Sequence, residues 1–372
     1  MSVLEAHAGG ITAQAGTFVY VSNAADGDIG SYRMQPDGTL QPGARVKAGD
    51  VVGPLAVSPE RRFLYAAVRS QPHSVHAYSI DPGTGALTPL SVSPLPASFP
   101  YISLDKTGRY LFGASYHSHL ISVSAVGADG RVAAAPLQLI PVGRNAHSIR
   151  ADESNRFVYV PTLGSDQIFQ FAFDANSGRL SSNTPAVAQM QTMTGPRHFV
   201  TSADNKFLYA LSEFLGIVTT FALDGNTGLL AEISSASGLP ADTQLVPGAP
   251  RVAPSPTDTA PPRKRERDIW AADIHLRPDG KFLYISERTS STLAAFSVNA
   301  ATGKLTYLAS TPTESQPRGF AITPNGRFLV ASGEKSDTIS VYAIDRASGA
   351  LALLQKYAGG KGANWVEIVS FD

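Results

Sequence analysis

The chain has 372 residues, of which 43% are hydrophobic and 16% are charged. It can therefore form a large core, and its composition is not that of a disordered protein. Its 30 lysines and arginines balance 30 aspartates and glutamates, which leaves no net field to attract nucleic acid or an anionic membrane. It has no cysteine, which excludes disulfides, thiolate nucleophiles and cysteine-ligated zinc and favours a cytoplasmic location.

The N-terminal segment, residues 1–16, lacks the basic start and the apolar stretch of a secretory signal. No later stretch approaches the ~20 consecutive apolar residues that a membrane-spanning helix needs. We therefore expect neither signal-directed export nor insertion into a membrane.

One pattern recurs along the chain: a turn followed by an aromatic and aliphatic strand. Its seven copies, the first of which lacks the turn, are AGTFVY (15–20), SPERRFLY (58–65), DKTGRYLF (105–112), DESNRFVY (152–159), SADNKFLY (202–209), RPDGKFLY (277–284) and TPNGRFLV (323–330). Most copies follow one another at about 46 residues, a period that indicates a repeat architecture.

Each copy continues into a further strand and a second turn. These further strands, such as TISVYAI (338–344), alternate with the period of two that a pleated strand requires. Second turns such as DANSGRL (174–180) place glycine where the backbone needs a positive φ. Two hairpins at constant spacing, with no helical periodicity, predict a four-stranded propeller blade.

The two ends of the chain complement each other. Nothing before Phe18 resembles an inner strand, whereas GANWVEIVSFD (362–372) has the pattern of the inner strand PRGFAITP (317–324). We predict an all-β, seven-bladed β-propeller that forms a single domain over residues 1–372. The C-terminal strand should join the N-terminal blade, which closes the ring and removes an open sheet edge.

The spacing between the fifth and sixth copies is longer than the others. The extra residues, 237–268, are rich in proline, alanine and threonine and end with RKRER (263–267). We expect a long, mobile insertion loop between blades five and six. The basic cluster is interpreted as a solvated loop end, and the alternative is a charge patch for substrate or a partner.

Unusual polar residues collect at the end of the blades opposite the tight turns. Those at the entries of inner strands are His147, Arg197, His198, Asp273, His275, Gln316, Arg318 and Trp365. Those that follow the strand of the repeated pattern, which is the second strand of each blade, are Arg69, Tyr116, Glu213, Arg288 and Lys335. Because inner strands line the channel of a propeller, we expect both sets to converge on one mouth. Arginine recognises phosphate or carboxylate through two parallel hydrogen bonds, so the cluster predicts a site for a small anion. The alternative is a set of structural ion pairs between blades.

Other signals for chemistry are weak. His73, His76, His117 and His119 are expected on or near outer strands, in solvated or core roles. The sequence has no HExxH motif, no GxSxG elbow and no acidic triplets. We therefore expect neither a metal nor another cofactor.

Three segments, GPRHF (195–199), WAADIHLRPDGKFLY (270–284) followed by ERT, and PTESQPRGFAITPNGRFLVASGEKSDTISVY (312–342), resemble the bacterial propeller-type 6-phosphogluconolactonases. The same family includes carboxy-cis,cis-muconate cyclases, and the resemblance covers nearly the whole chain. It implies a metal-independent hydrolysis of 6-phospho-D-glucono-1,5-lactone to 6-phosphogluconate in the pentose phosphate pathway.

The resemblance also implies site residues. Its polar channel residues correspond to His147, Arg197, Glu213 and Arg288, which we interpret as catalytic. His198, Asp273, His275 and Arg318 lie in matching motifs, and together with Arg69, Tyr116 and Gln316 they are the expected substrate-binding residues. As a hypothesis, either Glu213 or His147 is the base, Arg197 and Arg288 stabilise the oxyanion or hold a ring carboxyl, and Arg69 or Arg318 binds the distal phosphate.

Alternative functions remain open at this point. The second enzymatic hypothesis is a lactonase or cycloisomerase that acts on a non-phosphorylated aldonate or aldarate lactone or a muconolactone. The non-enzymatic hypothesis is that the propeller is a scaffold without catalytic activity. The expected partner is a small anionic sugar lactone, with no nucleic acid or membrane, and we expect a monomer or a weak oligomer.

Overall fold

The computed structural model describes residues 16–251 and 264–371, which form 28 strands and no helix. The first fourteen strands are β1 (Thr17–Asn23), β2 (Asp28–Met34), β3 (Leu40–Lys47), β4 (Val52–Val57), β5 (Phe63–Val68), β6 (Ser74–Ile80), β7 (Leu87–Pro94), β8 (Tyr101–Leu104), β9 (Tyr110–Ser115), β10 (Leu120–Ala125), β11 (Gln138–Pro141), β12 (Arg150–Ala151), β13 (Phe157–Thr162) and β14 (Gln167–Asp174).

The other fourteen are β15 (Arg179–Gln189), β16 (Pro196–Thr201), β17 (Phe207–Ser212), β18 (Ile217–Leu223), β19 (Leu230–Ser237), β20 (Ala271–Leu276), β21 (Phe282–Glu287), β22 (Thr292–Val298), β23 (Leu305–Pro312), β24 (Phe320–Ile322), β25 (Phe328–Ser332), β26 (Thr338–Ile344), β27 (Leu351–Ala358) and β28 (Ala363–Ser370).

The strands form seven four-stranded antiparallel sheets, which are the blades of one propeller. Six blades use four consecutive strands, beginning with β4, β8, β12, β16, β20 and β24 on the inside. Blade one has the order β28-β1-β2-β3. In this blade β1 pairs with β28, from Thr17 opposite Ser370 to Ser22 opposite Trp365. The prediction of a seven-bladed propeller closed by the C-terminal strand is confirmed.

The core lies between neighbouring blades. The second strand of each blade is therefore covered on both faces, which explains why it reads as an unbroken apolar run such as FLYAAV in β5, whose six residues are all buried. The repeated aromatic position of the sequence pattern lies at the centre of these strands. Its seven occupants, all at most 1% exposed, are Tyr20, Tyr65, Phe112, Tyr159, Tyr209, Tyr284 and Val330.

The glycine of the outer turn in each blade packs on an aromatic ring of the preceding blade. At Gly228 φ is +72°, and a Cβ there would overlap the ring of Phe157. The same contact recurs around the ring in the pairs Gly38 with Phe328, Gly85 with Phe18, Gly130 with Phe63, Gly178 with Tyr110, Gly303 with Phe207 and Gly349 with Phe282. The constant spacing of the glycines in the sequence therefore reflects a contact between blades.

The insertion between β19 and β20 is attached to the propeller at both ends of its described part. Gly248 N–H donates to the Phe214 carbonyl at 2.8 Å, and Ile269 N–H donates to the Val246 carbonyl at 2.8 Å. Within the basic cluster, Arg265 donates to the carbonyls of Ala249 and Pro250 at 3.2 and 3.3 Å, so this side chain has a structural role. The prediction of a mobile loop covers residues 237–268, and residues 252–263 of this segment lie outside the described residues.

No helix long and apolar enough to cross a bilayer occurs in the described ranges.

Candidate active site

A cavity of about 140 Å³ opens at the end of the propeller opposite the tight turns. We call it the mouth cavity, and it is lined by Arg69, Pro100, Tyr116, His117, His147, Glu213, Arg251, Trp270, Arg288 and Arg318. Most of these residues directly follow a second strand or directly precede an inner strand. Because these junctions of successive blades meet around the channel axis, residues far apart in sequence converge there.

Glu213 is the centre of the hydrogen-bond network in this cavity. Its Oε2 atom accepts from Arg197 Nε at 2.8 Å and from Arg288 Nη2 at 2.9 Å. The three side chains are at most 5% exposed, so the carboxylate replaces solvent for two buried guanidinium groups. Such charge-assisted pairs are strong, and here they fix both arginines beside the cavity.

Arg197 lies in the wall just behind the lining residues. Its Nη1 group donates to the Ala272 carbonyl and lies 3.1 Å from His198 Nε2. Its Nη2 atom is buried and has no hydrogen-bond partner among the described residues. A buried donor without a partner is costly, and an oxygen of a bound ligand would satisfy it.

Arg288 is held by three acceptors. Besides Glu213, its Nη2 group donates to the Ala271 carbonyl at 3.1 Å and its Nε group to the Trp270 carbonyl at 3.0 Å. Its guanidinium carbon also lies 3.7 Å from the centre of the Trp270 ring. Burial lowers the pKa of Arg288 to about 10, which leaves it charged at neutral pH.

His147 supplies a neutral imidazole at the cavity floor. Burial, followed by repulsion from Arg197 and His198, lowers its pKa well below the ordinary value. Its Nδ1 atom is buried without a hydrogen-bond partner in the described part of the chain. The ring lies edge-on to Tyr116, with centroids 5.7 Å apart. A neutral, unpartnered imidazole can accept a proton from water.

Arg69 and Arg318 form a second cationic group on the cavity wall. Arg318 pairs with Glu334 at 3.7 Å, while Arg69 donates through Nε to Ser98 Oγ at 3.3 Å. Burial, and then the charge of Arg318, lower the pKa of Arg69 to about 10. Gln316 does not line the cavity, and its amide donates to Glu334 Oε2 at 2.7 Å.

The charges that line the mouth cavity do not balance. Four of the lining residues are arginines, and only one is a carboxylate. Mutual repulsion between buried guanidinium groups is compensated when an anion binds among them. The cavity is therefore suited to a small ligand that carries more than one negative charge.

A second cavity, of about 330 Å³, occupies the channel below this site, and we call it the channel cavity. His198, Asp273 and His275 line it rather than the mouth cavity. His198 and His275 contact opposite oxygens of Asp273 at 2.9 and 3.1 Å. Because Arg197 donates to His198 Nε2, the proton of His198 lies on Nδ1 and is donated to Asp273.

The two cavities meet at a layer of aromatic rings. His147 and His198 have ring centroids 5.2 Å apart, and His198 in turn contacts Tyr101 and Trp365. Burial, then the charge of Arg197, lower the pKa of His198 to about 3, which keeps it neutral. The channel cavity is the larger, but its polar groups are largely paired with one another.

The structure thus divides the residues that the sequence singled out. It brings together Arg69, Tyr116, His147, Glu213, Arg288 and Arg318 around the mouth cavity, with Arg197 behind them. It places His198, Asp273 and His275 on the channel cavity and Gln316 behind Glu334. Their proposed roles in substrate binding remain predictions.

Four lining residues were not among the candidates from the sequence, namely Pro100, His117, Arg251 and Trp270. Arg251 and Trp270 belong to the insertion and to the strand entry after it, where no repeat marks their position. His117 was assigned to a solvated or core role, but it follows β9 directly after Tyr116 and lines the mouth cavity. Its place after a second strand was the available signal, because the same place identified Glu213 and Arg288.

Comparison with known proteins covers the whole propeller. A family model for a seven-bladed β-propeller lactonase matches residues 16–368. The chain is 37% identical over 352 residues to the 6-phosphogluconolactonase of Serratia proteamaculans, which covers 95% of this chain and 98% of that protein. It is 36% identical over 354 residues to the 6-phosphogluconolactonase of Pectobacterium carotovorum, with 95% and 99% covered.

A solved structure, the periplasmic gluconolactonase of Pseudomonas aeruginosa, is similar with a TM-score of 0.82 at 27% identity, covering 95% of this chain and 99% of that chain. These relatives confirm the resemblance that the sequence motifs indicated, and they favour an enzyme over a non-catalytic scaffold. The chain belongs to the family of seven-bladed β-propeller lactonases.

Proposed function

We propose that this lactonase hydrolyses 6-phospho-D-glucono-1,5-lactone to 6-phosphogluconate. The observation that carries the proposal is the charge of the mouth cavity, where four arginines face one glutamate. A phosphate group at neutral pH carries between one and two negative charges and suits such a cavity. The curated relatives from Serratia and Pectobacterium carry the name of the same activity.

In the proposed mechanism His147 is the general base. It removes a proton from the water that attacks the lactone carbonyl carbon, and a tetrahedral oxyanion forms. When the bond between this carbon and the ring oxygen breaks, the imidazolium returns its proton to the leaving alkoxide. The low pKa of His147 keeps the base neutral before attack.

Arg197 and Arg288 would stabilise the oxyanion. Both are charged donors fixed before the reaction, and the buried Nη2 atom of Arg197, which has no partner among the described residues, would donate to an oxygen of the bound lactone. Glu213 holds both arginines in place and is in our proposal a positioning residue, since its Oε2 atom is occupied by both guanidinium groups.

Arg69 and Arg318 would bind the phosphate. They lie on the same wall of the mouth cavity, and the charge of Arg318 acts on Arg69. A phosphate between them would relieve this repulsion and accept hydrogen bonds from both.

The proposal includes a monomer or weak oligomer in the cytoplasm that binds neither nucleic acid nor membrane. The balanced charge and the absence of cysteine support it. Light scattering on the purified protein and fractionation of the source cells test the two parts.

The substrate is tested by comparing kcat/KM for 6-phospho-D-glucono-1,5-lactone and D-glucono-1,5-lactone. Spontaneous hydrolysis is subtracted with a reaction that lacks enzyme. We expect a preference for the phosphorylated lactone. Equal or greater activity on D-glucono-1,5-lactone would contradict the phosphate assignment and favour a gluconolactonase like that of Pseudomonas aeruginosa. Turnover of a muconolactone alone would favour the cycloisomerase.

A further inference from the structure

We propose that Arg251, which the insertion between blades five and six contributes to the mouth cavity, binds the phosphate group of the substrate and determines specificity for a phosphorylated lactone. The inference deepens the proposed function and rests on it. It gives the insertion a part in substrate recognition.

Arg251 is positioned by stacking on Trp270. Its guanidinium carbon lies 3.5 Å from the centre of the indole ring, and that of Arg288 lies 3.7 Å from the same centre. Two guanidinium groups this close to one ring centre would overlap on a single face, so they occupy opposite faces. Trp270 therefore separates them by about 7 Å, the thickness of a cation–π sandwich.

The backbone next to Arg251 is anchored as well. Arg265 donates to the carbonyls of Ala249 and Pro250, the two residues before it. The backbone of Arg251 also lies beside the hydroxyl of Tyr116, another lining residue of the mouth cavity. The position of Arg251 relative to the cavity is thus set by contacts on both sides of the opening.

The two stacked arginines differ in their free hydrogen-bond donors. The edges of Arg288 are engaged by Glu213 and by the Trp270 and Ala271 carbonyls. The guanidinium group of Arg251 has no hydrogen bond or ion pair within the described residues. Stacking covers only the faces of a planar guanidinium and leaves its in-plane N–H groups available to a phosphate.

The arrangement also matches the shape of the substrate. If the lactone carbonyl lies at Arg197 and Arg288, the phosphate on the opposite side of the sugar ring lies about one ring away. Arg251 is displaced from Arg288 by the thickness of the cation–π sandwich, a similar length, and it lines the same cavity. A non-phosphorylated lactone would have no group for Arg251 to bind.

The test compares the Arg251→Ala variant with the unmodified enzyme on both lactones. We expect kcat/KM for 6-phospho-D-glucono-1,5-lactone to fall about 10- to 100-fold, which is the effect of one charge-assisted hydrogen bond. The loss should come mainly from a higher KM, because the phosphate is bound equally in the ground and transition states. Activity on D-glucono-1,5-lactone should stay within about threefold. Arg251→Lys should restore part of the loss.

Arg267→Ala is the matched control, because this arginine lies on the same insertion, is exposed and donates to the Gln244 carbonyl away from the cavity. Arg251→Met keeps the apolar stem and replaces Arg251→Ala if the latter does not fold. An equal loss on both lactones, or a loss confined to kcat, would overturn the inference in favour of a structural role.

An unchanged KM for the phosphorylated lactone would overturn the inference and leave the proposed function intact. If the unmodified enzyme does not hydrolyse a phosphorylated lactone at all, the proposed function itself fails.

Discussion

Glu213 accepts hydrogen bonds from two guanidinium groups where solvent hardly reaches, and this one carboxylate determines the geometry of the mouth cavity. Two buried cations that share one counter-ion leave positive charge uncompensated. Together with Arg69, Arg251 and Arg318, these two arginines favour the binding of an anionic ligand. Burial, and after it the charges of arginines in this set, lower the pKa of His147 and keep it neutral, so anion binding and proton acceptance are linked through these residues.

Arg197→Lys tests the buried Nη2 donor, which has no hydrogen-bond partner among the described residues. A lysine keeps a positive charge beside Glu213 but loses the free Nη2 donor of the guanidinium. We expect kcat/KM to fall by about 100-fold or more, the loss of one oxyanion donor. A calorimetric scan of the variant checks that it is folded at the assay temperature, because the substitution also alters the buried contacts with Glu213 and the Ala272 carbonyl. Hydrolysis within a few-fold of normal would contradict the assignment.

The low pKa of His147 predicts a pH profile. The imidazole acts as a base only when it is neutral, and burial lowers the pKa of His147 below the ordinary value of 6.5. The kcat/KM for D-glucono-1,5-lactone, a substrate that does not ionise, should therefore be flat from pH 6.5 upward and fall only at lower pH. His147→Gln should abolish this acidic limb together with most of the activity. A limb with its midpoint above 6.5 would show that His147 is not the base.

At the scale of the element, hydrogen bonds from one blade to the next hold neighbouring blades together. The Tyr20, Tyr159 and Tyr284 hydroxyls each donate at 2.8 Å to the turn glycine of the following blade, at Gly85, Gly228 and Gly349. Tyr65 occupies the same place in blade two, but its buried hydroxyl has no partner among the described residues. The same residue type therefore has opposite energetic effects at equivalent positions.

Tyr159→Phe and Tyr65→Phe form a matched pair. Tyr159→Phe leaves the buried Gly228 carbonyl without its donor, so we expect the free energy of unfolding to fall by about 1–3 kcal/mol. Tyr65→Phe removes a buried hydroxyl that makes no hydrogen bond, so stability should be unchanged or slightly higher. Urea unfolding of both variants measures the difference, and equal destabilisation would refute the role of the interblade bond.

At the scale of the whole molecule, the ring closes by strand pairing alone. β28 supplies the inner strand of blade one and buries Val366 and Val369. Without it, β1 would expose an unpaired edge toward the channel. Closure also brings Trp365 beside His198, so the C-terminal strand contributes to the layer between the two cavities.

A circular permutant tests this closure. In one variant residues 360–372 are deleted, and in another, which ends at residue 359, residues 360–371 precede residue 16 through a short glycine linker. The linker is feasible because Phe371 N–H donates to the Gly16 carbonyl at 3.1 Å. We expect the truncated chain to aggregate and the permutant to fold as a propeller with lactonase activity. A folded, active truncated chain would show that β28 is dispensable.

The sequence alone determined the propeller, the number of blades and the closure, because each blade repeats the same turn and strand chemistry at a constant spacing. It also pointed to the residues at strand ends, such as Glu213 and Arg288, since the repeat shows where each junction lies. The sequence did not indicate Arg251, because this residue lies in the insertion, which has no counterpart in the other blades.

Only the tertiary structure decided how the polar residues divide between the two cavities. His147 and His198 both belong to the entries of inner strands, yet one lines the mouth cavity and the other the channel cavity. The pattern of strands specifies which face a residue occupies, whereas depth along the channel depends on where each loop turns into its strand. That depth places His147 beside the arginines and leaves His198 paired with Asp273.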